Sequence, residues 1–316
     1  MCGEEFRDTD FISVPIAGSI APVDMAVRAA RQAVQRLAPD QLNIDLLLHS
    51  AIAWSGPEGW APSGYILREL GHGSGTGYEI YQGCNGMLSS LEVAAGLMAL
   101  APAPTTAMLT TAVNASTSTV DRWSSAGVGV AMGDGATAAI LGNDDGFARV
   151  DSICSMMLSD LEAIYRGNTP LRQDTEARPK MEVAARLKEF EASTQQKSID
   201  LQRRFAKAYS DVAWMALNDV GIRPYEIARV LFSHIGVYQT LVSIMLPLRL
   251  PIRRSTAEFG RTVGHLGAGD HVASLDNLLT TGQLSPGDRL LLIGGTAGFN
   301  VASAVLTITE TSPSWS

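Results

Sequence analysis

The chain has little charge, few cysteines, few aromatic residues and no long apolar run. Only 18 % of its 316 residues are Asp, Glu, Lys or Arg, against 46 % hydrophobic ones. That balance excludes a disordered or fibrous class and is enough for a substantial core. Basic residues are the scarcer sign: 24 Lys and Arg face 32 Asp and Glu, a formal net charge of −8. Sequence-independent nucleic-acid binding needs a cationic surface and is not expected here. Cys2, Cys84 and Cys154 stand at unrelated spacings that make neither a disulfide framework nor a zinc site. No stretch approaches the ~18 apolar residues of a membrane span. The start, Met1-Cys2-Gly3-Glu4-Glu5-Phe6, lacks the basic and apolar regions of a signal peptide. The expectation is a protein of the reducing cytoplasm, with neither membrane nor nucleic acid as partner.

What is present is an alternation of helix-like and strand-like runs, in a length that allows one large domain or two fused halves. Residues 21–37 carry apolar positions at Met25, Val27, Ala30, Val34 and Leu37, with Asp24 as a cap, and read as a helix. Residues 43–49 read as a strand buried on both faces and 62–70 as a second helix. Strands follow at 105–113 and at 136–141, the latter introduced by Gly133-Asp134-Gly135. The order then returns: a helix over 198–220, a Pro-bearing turn, and an apolar strand over 228–234. Helix, turn, strand and terminal histidine thus occur twice, ending at His49 and His234. Residues 289–293 and 301–306 echo the strands between 105 and 141. The pattern predicts an α/β fold made by duplicating one unit, with helices sandwiched between sheets. The expected divisions are an N-terminal half over 1–154, a connection over 155–197 and a C-terminal half over 198–316. The connection holds Pro170, Pro179 and a helical run over 180–190. Its polarity and length mark it as an insertion or lid rather than core.

Cys84 lies between a strand-like run over 77–82 and a helix-like run over 87–100, in Gly83-Cys84-Asn85-Gly86. The free N–H groups and partial positive charge of a helix mouth suit an anionic nucleophile, and its small neighbours leave room for a substrate. Two readings stand: a nucleophile for acyl transfer, or a small buried hydrophobe, as most free cysteines are.

Five segments, in order, resemble the thiolase-fold ketoacyl-acyl-carrier-protein synthases of type III. Gly83-Cys84-Asn85-Gly86-Met87 is similar to that family's Ala-Cys-Ser-Gly-Phe nucleophile turn. Phe232-Ser233-His234-Ile235-Gly236-Val237 sits where the family has Pro-His-Gln-Ala-Asn. Gly264-His265-Leu266-Gly267-Ala268-Gly269-Asp270 takes the place of Gly-Asn-Thr-Ser-Ala-Ala-Ser. Met132-Gly133-Asp134-Gly135-Ala136 and the stretch from Pro286 to Gly298 complete the set. The resemblance runs from about 24 to 308 outside the connection. It implies duplicated thiolase halves layered as α-β-α-β-α.

The same resemblance assigns roles. It implies that Cys84 carries the acyl group as a thioester. His234, matching the family's catalytic histidine, becomes the general base for Cys84 or for the acceptor, or else a core histidine. The family's asparagine is replaced by His265, which can accept a proton as an amide cannot. Asp270 orients His234 or His265, or caps the helix that begins near His271. His271 reads as a first-turn surface residue and His72 as a turn residue. The oxyanion donors implied are the backbone N–H of Cys84 and one from the glycine turn, assigned to Gly298. Trp60-Ala61-Pro62-Ser63 lies where the family extends a loop across its dimer into the partner's acyl pocket. Ala61 there leaves that pocket open, or the segment is a surface turn.

Cys-His with an added Gly-His-x-x-x-x-Asp pattern resembles the synthase-III-like acyltransferases of antibiotic and polyketide biosynthesis. Those move an acyl group from an acyl carrier protein or CoA thioester to a sugar hydroxyl, an amine or another carrier. The implied partners are such a donor, a small-molecule acceptor and a second copy in a homodimer, with no metal or redox cofactor. Rival expectations are a decarboxylative condensing enzyme and a catalytically idle thiolase-fold partner. The family's opening strand and loop are in part lacking, which leaves a start upstream of Met1 or a differently held donor, and no CoA site is carried over.

Overall fold

The computed structural model describes residues 10–37, 43–52, 56, 57, 59–71, 74–116, 120–127, 130–143, 146–171 and 180–311. Pro22 opens helix α1 (Pro22–Gln35) at its first turn, where a missing N–H costs nothing. Val23, Ala26, Val27 and Ala30 recur at three- and four-residue steps and form its buried face. Asp24 does not cap it: Ala21 is the cap residue, and Asp24 Oδ1 accepts a 2.8 Å hydrogen bond from the Tyr65 hydroxyl. There follow β1 (Leu46–Ser50), α2 (Pro62–Leu70) and β2 (Thr76–Ile80). Next come α3 (Gly86–Leu100), β3 (Ala107–Val113) and β4 (Gly135–Leu141). These strands make a four-stranded sheet in the order β2-β1-β3-β4, with β1 parallel to β2 and β3, and β4 antiparallel.

The remaining elements are β5 (Ala148–Met157), α4 (Ala163–Arg166), α5 (Val183–Thr194), α6 (Ser198–Asp219) and β6 (Ile227–Phe232). They continue with α7 (Val237–Thr240), α8 (Ala257–Val263), α9 (Asp270–Thr280), β7 (Arg289–Thr296) and β8 (Asn300–Ile308). The second sheet runs β5-β8-β7-β6. Its β6-β7-β8 portion is parallel then antiparallel, as β1-β3-β4 is in the first sheet. The duplication read from the sequence is therefore present in the pairing.

Alternation along the buried strands sets the layers, since successive side chains point to opposite faces. Leu47 and Met108 pack with Val27, Ala30 and Ile66 under α1 and α2. Leu46, Leu48 and Leu109 face the other way, onto Leu88, Leu91 and Ala94 of α3. The same cluster reaches Leu292, Ala302 and Leu306 of the second sheet, whose far face packs on Val212, Ala216 and Leu217 of α6. The stack is helix, sheet, helix, sheet, helix, as expected. Among the described residues no helix is long and apolar enough to cross a membrane.

Two expectations need correction. The boundary placed at 154/155 falls inside β5, which pairs antiparallel with β8. A register shift between Val150 and Ser152 breaks the two-residue alternation, so this strand has no regular pattern to read. The connection is also not wholly outside the core. Leu161, Ile164 and Phe190 are buried in the cluster under α6.

Candidate active site

The nucleophile turn is a single 3-10 turn, Gly83–Asn85, running directly into α3. Gly83 has φ 49°, and a Cβ there would sit 2.2 Å from Thr296 Oγ1. The position is glycine for conformation and for space. Cys84 is half-buried at the mouth of α3, as the sequence indicated.

His265 is held from behind by the Gly133 segment. His265 N–H donates to Ala131 O at 2.8 Å, and Gly133 N–H donates back to His265 O at 3.0 Å. A Cβ on Gly133 would meet Val263 O at 2.0 Å, so the close approach of the two segments requires glycine. Asp134 is pinned in turn by a buried ion pair with Arg122 at 2.9 Å and by Ala115 N–H. This fixes where the imidazole points. Its Nε2 lies 2.9 Å from Cys84 Sγ, and its Nδ1–H donates to Asp270 Oδ2 at 2.6 Å. Cys84, His265 and Asp270 form one continuous chain, the geometry of a nucleophile, a base and a group that orients the base.

Asp270 is fully buried and heads α9. Its side chain does not cap its own helix. Oδ1 accepts from Leu266 N–H at 2.7 Å, and Oδ2 from His234 backbone N–H at 2.7 Å as well as from His265. Burial alone would raise its carboxyl. The two histidines and these hydrogen bonds outweigh that and hold it well below the usual carboxylate range. His265 shows the reverse balance. Burial disfavours its charged form, but Asp270 and the Cys84 sulfur on its two sides hold it well above the ordinary histidine value.

His234 is not at the sulfur. Its Nδ1–H donates to Gly264 O at 2.9 Å, and its Nε2 accepts from the Ser274 hydroxyl at 2.9 Å. Phe259 lies edge-on to the ring at 5.6 Å. Burial lowers its affinity for a proton in spite of the nearby Asp270. Its imidazole is committed on both nitrogens, and it meets the Asp270 carboxylate twice, through its backbone N–H and through Nδ1, which lies 3.2 Å from Oδ1. His271 is likewise corrected: it is 1 % exposed, with Nε2–H donating to Ile293 O at 2.8 Å. His72 lies outside the described residues. Gly298 faces Met157, whereas Thr296 is the glycine-turn residue that touches the nucleophile: Cys84 N–H donates to its Oγ1 at 3.0 Å. Trp60 packs edge-on to Tyr65 of its own chain, with centroids 5.7 Å apart.

Two tyrosines that sequence reading missed also adjoin the site. Burial, and after it the Cys84 sulfur, push the Tyr165 phenol well above its usual value. Burial, Tyr165 and Cys84, in that order, do the same to Tyr209. Tyr165 comes from the connection, where it packs against the cluster under α6. Cys154 is a different kind of thiol: burial and the Asp219 carboxylate 3.1 Å away push it up to about 12, which makes it a poor nucleophile.

The sequence profile described as 3-oxoacyl-[acyl-carrier-protein] synthase III matches residues 78–157, and its C-terminal counterpart matches 217–308. A solved structure named ChlB3 and described as an acyltransferase is 34 % identical, with a TM-score of 0.89, covering 100 % of this chain and 92 % of that one. The chain belongs to the 3-oxoacyl-[acyl-carrier-protein] synthase III family. The synthase III FabH of Pseudomonas aeruginosa PAO1 shares the thiolase fold at 19 % identity, with a TM-score of 0.74 over 94 % of this chain and 86 % of that one. Beta-ketoacyl-[acyl-carrier-protein] synthase III 1 of Streptomyces coelicolor is 33 % identical over 97 residues, 31 % of this chain and 28 % of that protein. The match thus spans less than a third of that curated relative.

Proposed function

We propose that this chain is an acyltransferase that loads an acyl group onto Cys84 from a carrier-protein or CoA thioester and passes it to an acceptor hydroxyl or amine or to a second carrier. The observation that carries the reading is the Cys84–His265–Asp270 chain. In the first half-reaction the Cys84 sulfur attacks the donor carbonyl, the donor C–S bond breaks, and the departing thiolate takes the proton held on His265. That proton transfer leaves His265 neutral, with Nε2 beside the acylated sulfur and ready to accept a proton. It then takes the acceptor's proton as that group attacks the Cys84 thioester, and the sulfur leaves as the thiolate. Each step balances between these residues and the two substrates, so no redox cofactor or metal enters the cycle.

Condensation is the less favoured use of the site. A decarboxylating malonyl thioester needs two uncommitted hydrogen-bond donors. Here His265 is shared between a sulfur and a carboxylate, and His234 spends its N–H on Gly264. Intact mass after mixing with a panel of acyl-CoA and acyl-carrier thioesters tests the reading. The expected result is one acyl adduct on the wild type and none on Cys84→Ala. Carbon dioxide release from a malonyl thioester together with a ketoacyl product would replace acyl transfer by condensation. Labelling that survives in Cys84→Ala would remove the nucleophile assignment altogether.

A homodimer also belongs to this proposal. β2 is the edge of the first sheet, and Tyr78 and Tyr81 on and beyond it are 46 % and 75 % exposed. An uncovered strand edge is a template for pairing with another copy. Light scattering on the purified chain is expected to give twice the 33.6 kDa chain mass. A proline in place of Glu79 is expected to shift it toward one, and a monomeric wild type would sink the proposal.

A further inference from the structure

Thr296, the last residue of β7, meets the nucleophile turn from far along the sequence. Its Oγ1 accepts the Cys84 N–H at 3.0 Å across 212 residues of sequence, and the residue is 3 % exposed. The turn is shaped around this hydroxyl, since a Cβ at Gly83 would lie 2.2 Å from it. Thr240 spends its hydroxyl hydrogen on Gly236 O at 2.8 Å and Thr262 on Phe259 O at 2.7 Å, while the buried Thr137 and Thr256 hydroxyls have no partner of either kind. Thr296 differs from both. It receives a hydrogen bond from Cys84, and among the described residues its own O–H has no acceptor. A buried donor without a partner is unfavourable until something accepts from it. The position of this one indicates what that acceptor is.

We infer that Thr296 is a catalytic residue, and that its hydroxyl is the donor that stabilises the oxyanion formed at Cys84. The inference rests on the reading of Cys84 as the acyl carrier. As the sulfur adds to the donor carbonyl, the C=O π pair moves onto oxygen, and that oxygen accepts the Thr296 O–H. When the tetrahedral adduct collapses the C=O bond re-forms and the donor's thiolate leaves with the proton from His265. Thr296 keeps its proton throughout. The carbonyl oxygen of a thioester lies two bonds from sulfur, and Sγ belongs to the residue whose N–H the hydroxyl caps, which places the hydroxyl beside the nucleophile. The Cys84 N–H polarises that hydroxyl and makes it a better donor, as in any hydrogen-bond chain. Cys84 therefore contributes its backbone N–H through Thr296 instead of directly.

Two reactions at the same sulfur separate this from a structural role. Acetylation by p-nitrophenyl acetate passes through an oxyanion and needs no natural donor. Alkylation by iodoacetamide displaces iodide at a saturated carbon and makes none. In Thr296→Val, acetyl-Cys84 formation followed by intact mass is expected to slow ~10²–10³-fold, the usual loss for one oxyanion donor. Alkylation should stay within about twofold of wild type. Thr296→Ser, which keeps the hydroxyl, is expected to retain acetylation within about tenfold. Unchanged or faster acetylation in Thr296→Val would overturn the inference, the faster rate meaning that the hydroxyl merely blocks the Cys84 N–H. A parallel fall in both reactions would also overturn it, by showing a disturbed turn. If wild type is alkylated at Cys84 but never acetylated, the acyl-carrier reading itself fails, a result distinct from the other two.

Discussion

Replacing His265 by asparagine is expected to slow acyl transfer through Cys84 by ~10²–10⁴-fold, the span that a positioned general base contributes. Asparagine fits the space and can hydrogen-bond to Asp270, but it cannot take a proton from a thiol or an acceptor. His234→Ala is the informative contrast. Its ring is bound to Gly264 O and Ser274 and lies against Phe259, so the substitution removes packing and two hydrogen bonds. The expected cost is about 2–4 kcal/mol of stability, while the acylation rate per folded molecule stays near wild type. Single-turnover acylation of both variants, with folded fraction measured in parallel, checks this. A His234→Ala protein that is stable but cannot be acylated would return the base to His234.

This contrast also marks how far the sequence could be read. The bounds of α2 were legible to the residue because Pro62 and the left-handed Gly71 punctuate both ends. Cys84 was legible because glycines and a strand-to-helix transition surround it. The choice between histidines was not. His234 and His265 both follow short apolar strands or turns, and only the third dimension shows which imidazole the Gly264 carbonyl has captured. Asp270 looked equally suited to a cap, since an aspartate before a helical run commonly is one. The 3-10 turn Gly267–Gly269 instead folds it back beneath His265. Thr296 gave no local signal at all, because its partner lies in the turn before α3, 212 residues away. β5 escaped for a different reason, a bulge that interrupts its alternation.

Asp270→Asn is expected to be the most damaging single-atom exchange in the protein. Three N–H groups donate to this carboxylate, from His234, Leu266 and His265, the His234 Nδ1 lies 3.2 Å from Oδ1, and the carboxylate is wholly buried. An amide in its place must turn an NH2 toward at least one of those donors and leaves the His265 charge without its counter-ion. Breaking a buried pair in this way costs about 3–5 kcal/mol. The same exchange in serine proteases lowers turnover about 10⁴-fold by releasing the histidine tautomer, and a loss of that order is expected here. The pH dependence of stability gives a second readout. The folded carboxyl binds its proton more weakly than an unfolded aspartate, whose pKa is about 3.9, so its contribution is present above pH ~4 and is lost as pH falls below that value. His234, which burial holds below the ordinary histidine value, adds to the loss on the acid side. His265 acts in the opposite sense: its folded value is raised, so its share is complete below about 6.5 and fades as pH rises through the folded value. Urea unfolding from pH 3 to 9 should therefore show wild type losing stability at both ends. Asp270→Asn should start lower, with a shallower loss below pH 4 and with the alkaline loss largely gone, because His265 no longer has the carboxylate that raised it. An Asp270→Asn curve parallel to wild type across that range would mean that the carboxylate neither ionises early nor holds His265 charged, and the triad would lose its electrostatic basis.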